Sequence, residues 1–373
     1  MSDYFGKDVF KLGFGLMRLP QNADGSINIE ETSKMVDMFI SAGGTYFDTA
    51  YVYGDGESEM VARKALVERY PRESYSLATK ICSWKAHDEL SAQQEFYTSL
   101  ERTGAGYFDY YLLHALQVGN YLDYEKYHIW DFVKELKAKG LVKHYGFSFH
   151  ATPELLEQLL NDHPDVDFVQ LQINYADWNN PDVAARECYE IVRKHGKSVV
   201  IMEPVKGGAL ANPPKIVAEM LHSANPEASN ASWAIRYAAS LDGVITVLSG
   251  MSNIAQMKDN LSYMTHFKPL DASEQAVIAR VQQALSSIHT IQCTACHYCT
   301  SGCPKGIPIP EIFAARNKHI RELKLGGAKR DYESATTNAG KASECIQCGQ
   351  CEGVCPQQLK VIELLAECAN HLE

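Results

Sequence analysis

The sequence predicts two folds in series: an α/β domain built as a (β/α)8 TIM barrel, then a small α-helical ferredoxin-like domain. Two observations support this prediction. Residues 8–267 alternate β-rich runs with helical patterns eight times, which is the length and rhythm of a (β/α)8 barrel. Further along the chain, one cysteine pattern occurs twice, with the spacing by which bacterial ferredoxins hold [4Fe–4S] clusters.

The barrel prediction rests on short apolar runs separated by helical patterns. The predicted strands are Phe14–Arg18, Thr45–Thr49, Tyr75–Lys80, Phe108–His114, Lys143–Phe149, Phe168–Ile173, Ser198–Glu203 and Val244–Ser249. The predicted helices between them include Glu30–Ser41, Glu57–Tyr70, Glu89–Thr103 and Tyr124–Lys139. Another helix, Pro153–Leu160, has Thr152 as its N-cap residue and a proline at its first position. The segment Pro204–Ala228 is rich in Pro, Gly and Asn and is predicted to be a long active-site loop.

A helical repeat of apolar residues predicts a linker helix before the cysteines. Its members are Val277, Ile278, Val281, Leu285 and Ile288. We therefore expect the barrel at residues 1–270, the linker helix at 271–290 and the ferredoxin-like domain at 291–373. The last domain contains the helix-like stretch Pro310–Leu323 and a final amphipathic pattern near 359–365, so we expect an α-helical ferredoxin rather than a β-containing one.

The cysteine pattern C-x2-C-x2-C-x3-C-P predicts two [4Fe–4S] clusters. It comprises Cys293, Cys296, Cys299 and Cys303, and again Cys345, Cys348, Cys351 and Cys355. In two-cluster ferredoxins the fourth cysteine of each run binds the other cluster. The predicted sets are therefore Cys293, Cys296, Cys299 and Cys355 for one cluster, and Cys345, Cys348, Cys351 and Cys303 for the other. Two zinc knuckles are the alternative, although zinc normally takes its ligands as separated pairs.

Composition and net charge limit the classes of binding partner and the cellular compartment that we expect. The net charge of −11 argues against binding of nucleic acid or of an anionic membrane surface. The sequence begins without the apolar region of a signal peptide and has no apolar run of the length that a membrane span needs. The cysteines outside the motifs, Cys82, Cys188 and Cys368, are expected to be free thiols, which suits a reducing compartment. We therefore expect a cytoplasmic protein.

Side chains with catalytic chemistry are predicted to meet at one end of the barrel. Asp48, Lys80 and His114 end consecutive predicted strands, and Tyr53 follows Asp48 in the same loop. Each residue alone has an ordinary structural explanation, but the C-terminal strand ends form the active face of such barrels. A neighbouring Lys80 ammonium would lower the pKa of the Tyr53 phenol from its free value of about 10. Tyr53 could then protonate a developing alkoxide, while Asp48 holds Lys80 and His114 orients the carbonyl oxygen.

Asp48, Tyr53, Lys80 and His114 resemble the catalytic tetrad of the aldo-keto reductase family. The resemblance includes their sequence contexts, which are DTAYVYG, ATK and LLH. The whole layout resembles the subgroup that carries a C-terminal dicluster ferredoxin domain. The resemblance implies reduction of a small-molecule carbonyl to an alcohol, or the reverse, with Tyr53 as the general acid and NADP(H) or NAD(H) as the hydride carrier. It also implies cofactor contacts at Ser148, Gln170, Asn174, Gly250, Gln256, Asp259 and Asn260.

The loops beside these strands supply further candidates. Lys206, Gly207 and Gly208 follow the seventh strand and are candidate phosphate contacts; a flexible solvent loop is the alternative. Pro204 in the same loop is a further candidate for cofactor binding. Aromatic residues of neighbouring loops are expected to line the substrate pocket. They are Trp84, Tyr121, Tyr124 and Trp178, and for Trp178 a helix cap is the alternative.

The sequence is compatible with three functions. The first is an aldo-keto reductase whose clusters exchange electrons with a protein partner or are mainly structural. The second is a ferredoxin-linked oxidoreductase with a flavin such as FMN in the barrel, because one-electron clusters cannot efficiently feed hydride transfer. Phe149, Met202 and Gln256, which depart from the family pattern, also motivate it. The third is a non-catalytic, redox-responsive dinucleotide-binding module, against which the complete tetrad argues.

Overall fold

The computed structural model describes residues 4–288, 290–322 and 325–373. Parallel strands close into a barrel in chain order, each paired with the next and the last with the first. The strands are β1 Leu12–Gly15, β2 Tyr46–Asp48, β3 Ser76–Ile81, β4 Phe108–Leu116, β5 Val142–Phe149, β6 Phe168–Gln172, β7 Ser198–Met202 and β8 Val244–Ser249. The predicted TIM barrel is therefore confirmed. The first strand begins at Leu12 rather than Phe14, because Gly13 and Gly15, which are atypical of strands, obscured its position.

Helices follow the strands around the barrel and continue to the end of the chain. They are α1 Ile29–Ser41, α2 Glu57–Ala62, α3 Glu89–Thr103, α4 Tyr121–Lys126, α5 Ile129–Ala138, α6 Pro153–Asp162, α7 Ala185–Lys194, α8 Lys215–Ala224, α9 Asn230–Ala239, α10 Ile254–Met264, α11 Ala272–Ser286, α12 Ile309–Glu322, α13 Leu325–Thr336, α14 Gln350–Gly353 and α15 Val361–Leu372. The predicted N-cap of α6 is present, since the Thr152 hydroxyl accepts from the Leu155 N–H at 3.5 Å.

Two predicted helices are interrupted in the structure. The helix predicted at Glu57–Tyr70 is divided into α2 and a π-helical turn, Arg63–Val67. The helix predicted at Tyr124–Lys139 is α4 and α5, separated at His128. His128 has a φ of 50°, and this left-handed conformation cannot continue a right-handed helix. Apolar periodicity did not reveal either interruption, because the apolar residues keep their spacing across it.

A helix lies where the sequence predicted only a loop. The segment Pro204–Ala228 contains α8, so the loop prediction was wrong for these ten residues. The helix begins directly after Pro213 and Pro214, and proline is well tolerated at a helix start although it suggested a loop. Similarly, α13 was not predicted, because Gly326 and Gly327 near its start are poor helix formers.

The strands are nearly continuous apolar runs because helices cover the outside of the barrel and side chains fill its inside. All nine residues of β4 are buried. Toward the N-terminal ends of the strands, Tyr46, Tyr110, Phe168 and Ile245 pack together, and Phe5 packs against this cluster. The barrel is therefore closed at that end, and its opposite end carries the strand ends with the polar side chains.

The chain divides into two compact units. The second unit consists of Pro181–Val183, Val205–Asn230 and Ser273–Glu373, and the first contains the eight strands. The regular structure described within 273–373 is helical, as predicted. Its core includes Ile307, Ile309, Ile312, Phe313, Tyr332, Val361, Leu365 and Leu372. The predicted domain boundaries at 270 and 290 stay a prediction. Within the described residues, no helix has the length and hydropathy to cross a membrane.

Candidate active site and cysteine loops

Parallel pairing brings the predicted tetrad together at one end of the barrel. Asp48 is the last residue of β2, and Lys80 and His114 lie near the ends of β3 and β4. These strands are neighbours in the barrel. Tyr53 begins a short 3-10 turn five residues after Asp48. The four side chains come from three adjacent strands and one loop, which is the arrangement that the sequence predicted.

The Lys80 ammonium is the centre of this group. It donates to Asp48 Oδ1 at 2.7 Å, to the Thr49 carbonyl oxygen at 2.7 Å and to the Tyr53 phenol oxygen at 3.3 Å. The Tyr53 and His114 rings meet edge to face, with 5.7 Å between their centroids. A cation in contact with a phenol oxygen stabilises negative charge on that oxygen, so the phenol can release its proton more readily.

Burial makes the electrostatics of the tetrad strong. Lys80 is fully buried and Asp48 is 3% exposed. Burial raises the pKa of Asp48 and lowers that of Lys80, and the attraction between the two charges opposes both shifts. Burial, followed by the Lys80 charge, lowers the pKa of His114 well below its usual value. His114 is therefore a neutral imidazole at pH 7, able to donate a hydrogen bond without carrying charge.

The loop that carries Tyr53 has an unusual backbone. Gly54, Asp55 and Gly56 have φ values of 57°, 52° and 94°. The φ of Gly56 favours glycine on conformational grounds, and a Cβ atom there would lie 2.6 Å from the guanidinium carbon of Arg102, which would have to shift. The tight turn directs the Tyr53 phenol back toward Lys80.

An ion pair between a partly exposed arginine and a buried glutamate holds this loop, and sequence reasoning missed it. Arg102 of α3 donates to the Tyr51 carbonyl oxygen at 3.0 Å and pairs with Glu59 of α2 at 3.2 Å. Glu59 is fully buried and also accepts from the Thr79 hydroxyl at 2.7 Å, next to Lys80. The pair therefore joins the Tyr53 loop to β3. Glu59 lies six residues after Tyr53, but Arg102 follows Glu59 by 43 residues and the two form no motif, so only the structure reveals the pair.

Two predicted cofactor residues lie side by side on β5 and β6, where Ser148 pairs in register with Gln170. Ser148 Oγ accepts from the Ala115 N–H at 2.7 Å, and the Gln170 amide nitrogen contacts Met202 Sδ at 3.4 Å. Gln170 Oε1 is buried and has no hydrogen-bond partner among the described residues. A buried acceptor without a donor costs about 1–3 kcal/mol. A ligand that presents an N–H group, such as a carboxamide, would fit this site.

Other predicted cofactor residues make hydrogen bonds within the fold. The Asn174 amide donates to Asp177 at 2.8 Å and to the Glu203 carbonyl oxygen at 3.1 Å. The Asn260 amide donates to Ser249 Oγ at 2.8 Å and thereby joins β8 to α10. Direct cofactor contacts of these two amides stay a prediction.

The remaining cofactor candidates lie after β7 and β8. Gly250 follows β8, and Asp259 is a half-buried residue of α10. Gln256 is exposed near the start of α10, and its Oε1 accepts from the Ser252 N–H at 2.7 Å. Its neutral amide cannot give a phosphate the charge-assisted bonds of an arginine. Pro204 follows Glu203, while Lys206 and Gly208 form a 3-10 turn of the second unit, in which Lys206 is buried.

The aromatic candidates divide into exposed and buried residues. Trp84 is 40% exposed, and its ring lies 5.2 Å from His114, so it is placed to contact a substrate. Trp178 packs against Tyr237, with 6.1 Å between the rings. The prediction for Tyr124 is wrong: it is fully buried, and its hydroxyl bonds to the His114 carbonyl oxygen at 2.6 Å.

The assignment of the cysteines to two cluster-binding sets stays a prediction, but cysteines of each set lie near one another. Cys303, Cys345, Cys348 and Cys351 line one pocket together with Ile346, Ile362 and Leu365. Burial raises the pKa of the Cys299 thiol to about 12, and three neighbouring cysteines add to the shift: Cys296, Cys293 and Cys355. The Ala295 N–H approaches Cys293 Sγ at 3.4 Å, and such N–H···S bonds support cluster thiolates. Thiols are the ligands that an iron–sulfur cluster takes, so the chemistry of both groups of side chains suits a [4Fe–4S] cluster.

Comparison with known proteins identifies two regions. Residues 11–283 match the family model described as "Aldo/keto reductase family", and residues 292–360 match one described as "4Fe-4S dicluster domain". "Probable aldo-keto reductase 1" from Glycine max is 29% identical over 211 residues, which cover 54% of this chain and 58% of that protein. "L-galactose dehydrogenase" from Arabidopsis thaliana is 24% identical over 308 residues, which cover 77% of this chain and 93% of that protein.

Solved structures show the same barrel. An aldo/keto reductase from Klebsiella pneumoniae, solved in complex with NADP and acetate, superposes with a TM-score of 0.61 at 19% identity. The likeness covers 74% of this chain and 94% of that one. At this level of identity the likeness shows the fold.

Proposed function

We propose that this chain, which belongs to the aldo/keto reductase family, reduces an aldehyde or ketone to an alcohol, or catalyses the reverse reaction, with Tyr53 as general acid. The chain is an oxidoreductase that also carries a 4Fe-4S dicluster domain. The observation that carries the proposal is the buried Lys80 ammonium, which contacts both Asp48 and the Tyr53 phenol oxygen. Family membership favours this function over the flavin-containing and non-catalytic alternatives.

The residues have separate roles in this reaction. Tyr53 gives its phenolic proton to the carbonyl oxygen as negative charge develops there. Lys80 stabilises the charge left on the phenol, and Asp48 fixes the position of Lys80 through their 2.7 Å ion pair. Neutral His114 donates a hydrogen bond to the same carbonyl oxygen and thereby orients the substrate. Trp84, beside His114, contacts the body of the substrate.

The proposed hydride carrier is NADP(H) or NAD(H), and NADP is bound in the Klebsiella pneumoniae structure. When bound, the nicotinamide supplies the hydride that adds to the carbonyl carbon. Ser148 and Gln170 are proposed to hold its carboxamide, because Gln170 Oε1 is a buried acceptor. Further proposed contacts are Asn174, Pro204, Lys206, Gly208, Gly250, Gln256, Asp259 and Asn260. Because Gln256 is uncharged, we do not expect strong discrimination between NADP(H) and NAD(H).

Gln170→Leu tests the carboxamide site. The substitution removes a buried unsatisfied oxygen, so the cofactor-free protein is expected to unfold at the same or slightly higher urea concentration. The same substitution removes the acceptor for the carboxamide, so the dissociation constant of NADPH is expected to rise about tenfold. Urea unfolding and NADPH fluorescence titration measure the two effects. An unchanged dissociation constant, in a protein that stays folded, would contradict the assignment of Gln170.

The two cysteine sets are proposed to bind two [4Fe–4S] clusters, each of which supplies one-electron transfer when bound. One set is Cys293, Cys296, Cys299 and Cys355, and the other is Cys345, Cys348, Cys351 and Cys303. The shared pocket of the second set and the mutual proximity of the first support this grouping. Electron exchange with a protein partner is proposed as the role of the clusters.

Cys348→Ala tests whether the chain binds two [4Fe–4S] clusters. Cys348 is the exposed cysteine of the second set, so its removal is expected to cost one cluster without disturbing the core of the domain. Protein purified without oxygen is expected to hold about eight irons per chain, and the variant about four. Cys188→Ala, which removes a buried thiol of α7 outside the motifs, is the matched control and is expected to keep the full iron content. Full iron content in Cys348→Ala would contradict the assigned set.

A further inference from the structure

The backbone that carries His114 is irregular. In the pairing of β4 with β5, Leu113 lies opposite Phe147 and Leu116 lies opposite Phe149, so β4 has one extra residue between these pairs. A β-bulge of this kind redirects a side chain and interrupts the ladder of hydrogen bonds. Ala115, which follows His114, has a φ of 50°, a strained conformation for a residue with a Cβ atom. A strained backbone conformation of this kind is maintained only when contacts with neighbouring residues stabilise it.

Three side chains bond to this bulge: two from the start of α4 and one from β5. The Tyr124 hydroxyl donates to the His114 carbonyl oxygen at 2.6 Å. The Asn120 amide donates to the Ala115 carbonyl oxygen at 2.9 Å. The Ser148 hydroxyl oxygen accepts from the Ala115 N–H at 2.7 Å. We call Tyr124, Asn120 and Ser148 the bulge clamp, because together they satisfy the backbone groups that the bulge takes out of the ladder.

Tyr124 connects the bulge to a second strand of the tetrad. Its ring is fully buried, so its orientation is fixed by packing. Its oxygen also accepts from the Ser83 N–H at 3.2 Å. Ser83 lies three residues after Lys80. One phenol therefore links the segment after Lys80 to the carbonyl group of His114, and it fixes the distance between the two strand ends.

We propose that Tyr124 is a positioning residue for carbonyl reduction, which through the bulge clamp fixes the His114 imidazole relative to Lys80 and Tyr53. The proposal rests on the proposed function. Catalytic groups lose efficiency when they are displaced by about 1 Å, and a strained bulge without its clamp has other backbone conformations available. Tyr124 does not touch the substrate in this proposal, and its effect on the rate is transmitted through His114.

Tyr124→Phe tests the kinetic part of the proposal in the full-length protein purified without oxygen. The ring still fills its place, but the His114 carbonyl oxygen and the Ser83 N–H lose their partner. We expect kcat for NADPH-dependent reduction of a simple aldehyde to fall about tenfold, with the dissociation constant of NADPH unchanged. Tyr111→Phe is the matched control: Tyr111 is a buried tyrosine on β4, and the hydroxyl that this variant removes has no hydrogen-bond partner among the described residues.

A double-mutant cycle separates positioning from general destabilisation. If Tyr124 acts through His114, then Tyr124→Phe costs little further activity in a His114→Ala background. A loss that stays the same in both backgrounds would overturn the proposal, since the hydroxyl would then act independently of His114. An unchanged kcat in the single variant would overturn it as well.

Hydrogen exchange tests the clamp without relying on activity. In Tyr124→Phe the amides of residues 113–117 are expected to exchange about tenfold faster, because the bulge opens more often. Tyr111→Phe is expected to leave that segment unchanged. Equal exchange in the wild type and Tyr124→Phe would overturn the clamp. A wild type that reduces no aldehyde would instead refute the proposed function, and the exchange result would still decide whether the clamp holds the bulge.

Discussion

Tyr53→Phe is expected to lower kcat for carbonyl reduction by about 10²–10⁴-fold, the usual contribution of a positioned general acid. The variant removes the proton donor but keeps the ring, which lies under the Lys80 ammonium at 4.7 Å and against the His114 ring at 5.7 Å. Binding of NADPH is therefore expected to stay the same. Steady-state oxidation of NADPH with an aldehyde measures the rate, and fluorescence titration measures the binding.

Tyr51→Phe is the matched control for this experiment. It removes a hydroxyl from the same loop, while the Tyr51 carbonyl oxygen keeps its bond to Arg102. Because the half-buried ring also keeps its contact with the Arg102 guanidinium, we expect kcat to stay within about twofold of the wild type. If Tyr53→Phe kept the wild-type rate, another group would be the proton donor and the assignment of Tyr53 would be wrong. Equal losses in the two variants would instead point to a change in the loop.

The sequence predicted the barrel and the meeting of the tetrad because both depend on local patterns. Buried parallel strands are apolar runs that can be counted, and a polar residue at the end of such a run lies at the active face of the barrel. Asp48, Lys80 and His114 are recognisable in this way, and the adjacent strands bring them together. The cysteine sets rest on a similar local signal, since cluster ligands lie at fixed spacings, and they stay a prediction.

The groups that hold the tetrad in place were not predictable. Arg102 and Glu59 act through a contact between two helices, and Tyr124 through a hydroxyl that reaches a backbone carbonyl on a strand end. These contacts have no characteristic spacing, because tertiary packing alone determines which distant residues meet. Tyr124 was assigned to the pocket rim because an aromatic residue in a loop has no sequence signal that distinguishes an exposed ring from a buried one. The left-handed Ala115 was missed because alanine rarely adopts that conformation.

Gly207→Ala is expected to disrupt the loop that carries the first cysteine run, Cys293 to Cys303. A Cβ atom at Gly207 would lie 2.5 Å from the Thr294 carbonyl oxygen, 2.8 Å from its Cα and 2.9 Å from its carbonyl carbon. These are backbone atoms that cannot rotate away, and Thr294 is buried directly after Cys293. Gly207 also has a φ of 62°, where alanine is strained by about 1–2 kcal/mol. The steric overlap with the Thr294 backbone destabilises the folded protein by about a further 1–3 kcal/mol. We therefore expect the backbone at Thr294 to shift and to displace the adjacent Cys293.

Gly208→Ala separates the close contact from the strain. Gly208 has a φ of 97°, but apart from its two chain neighbours no atom of the described residues lies within 4 Å of the place where its Cβ would be. The Gly208→Ala protein is therefore expected to lose stability through backbone strain alone and to keep the iron content of the wild type. We expect Gly207→Ala to lose about half of its iron, because Cys293 belongs to one proposed cluster. Iron analysis and the electron paramagnetic resonance spectrum of the reduced protein measure this. Equal iron contents in the two variants would mean that the Gly207 contact does not hold the Cys293 segment in its cluster-binding position.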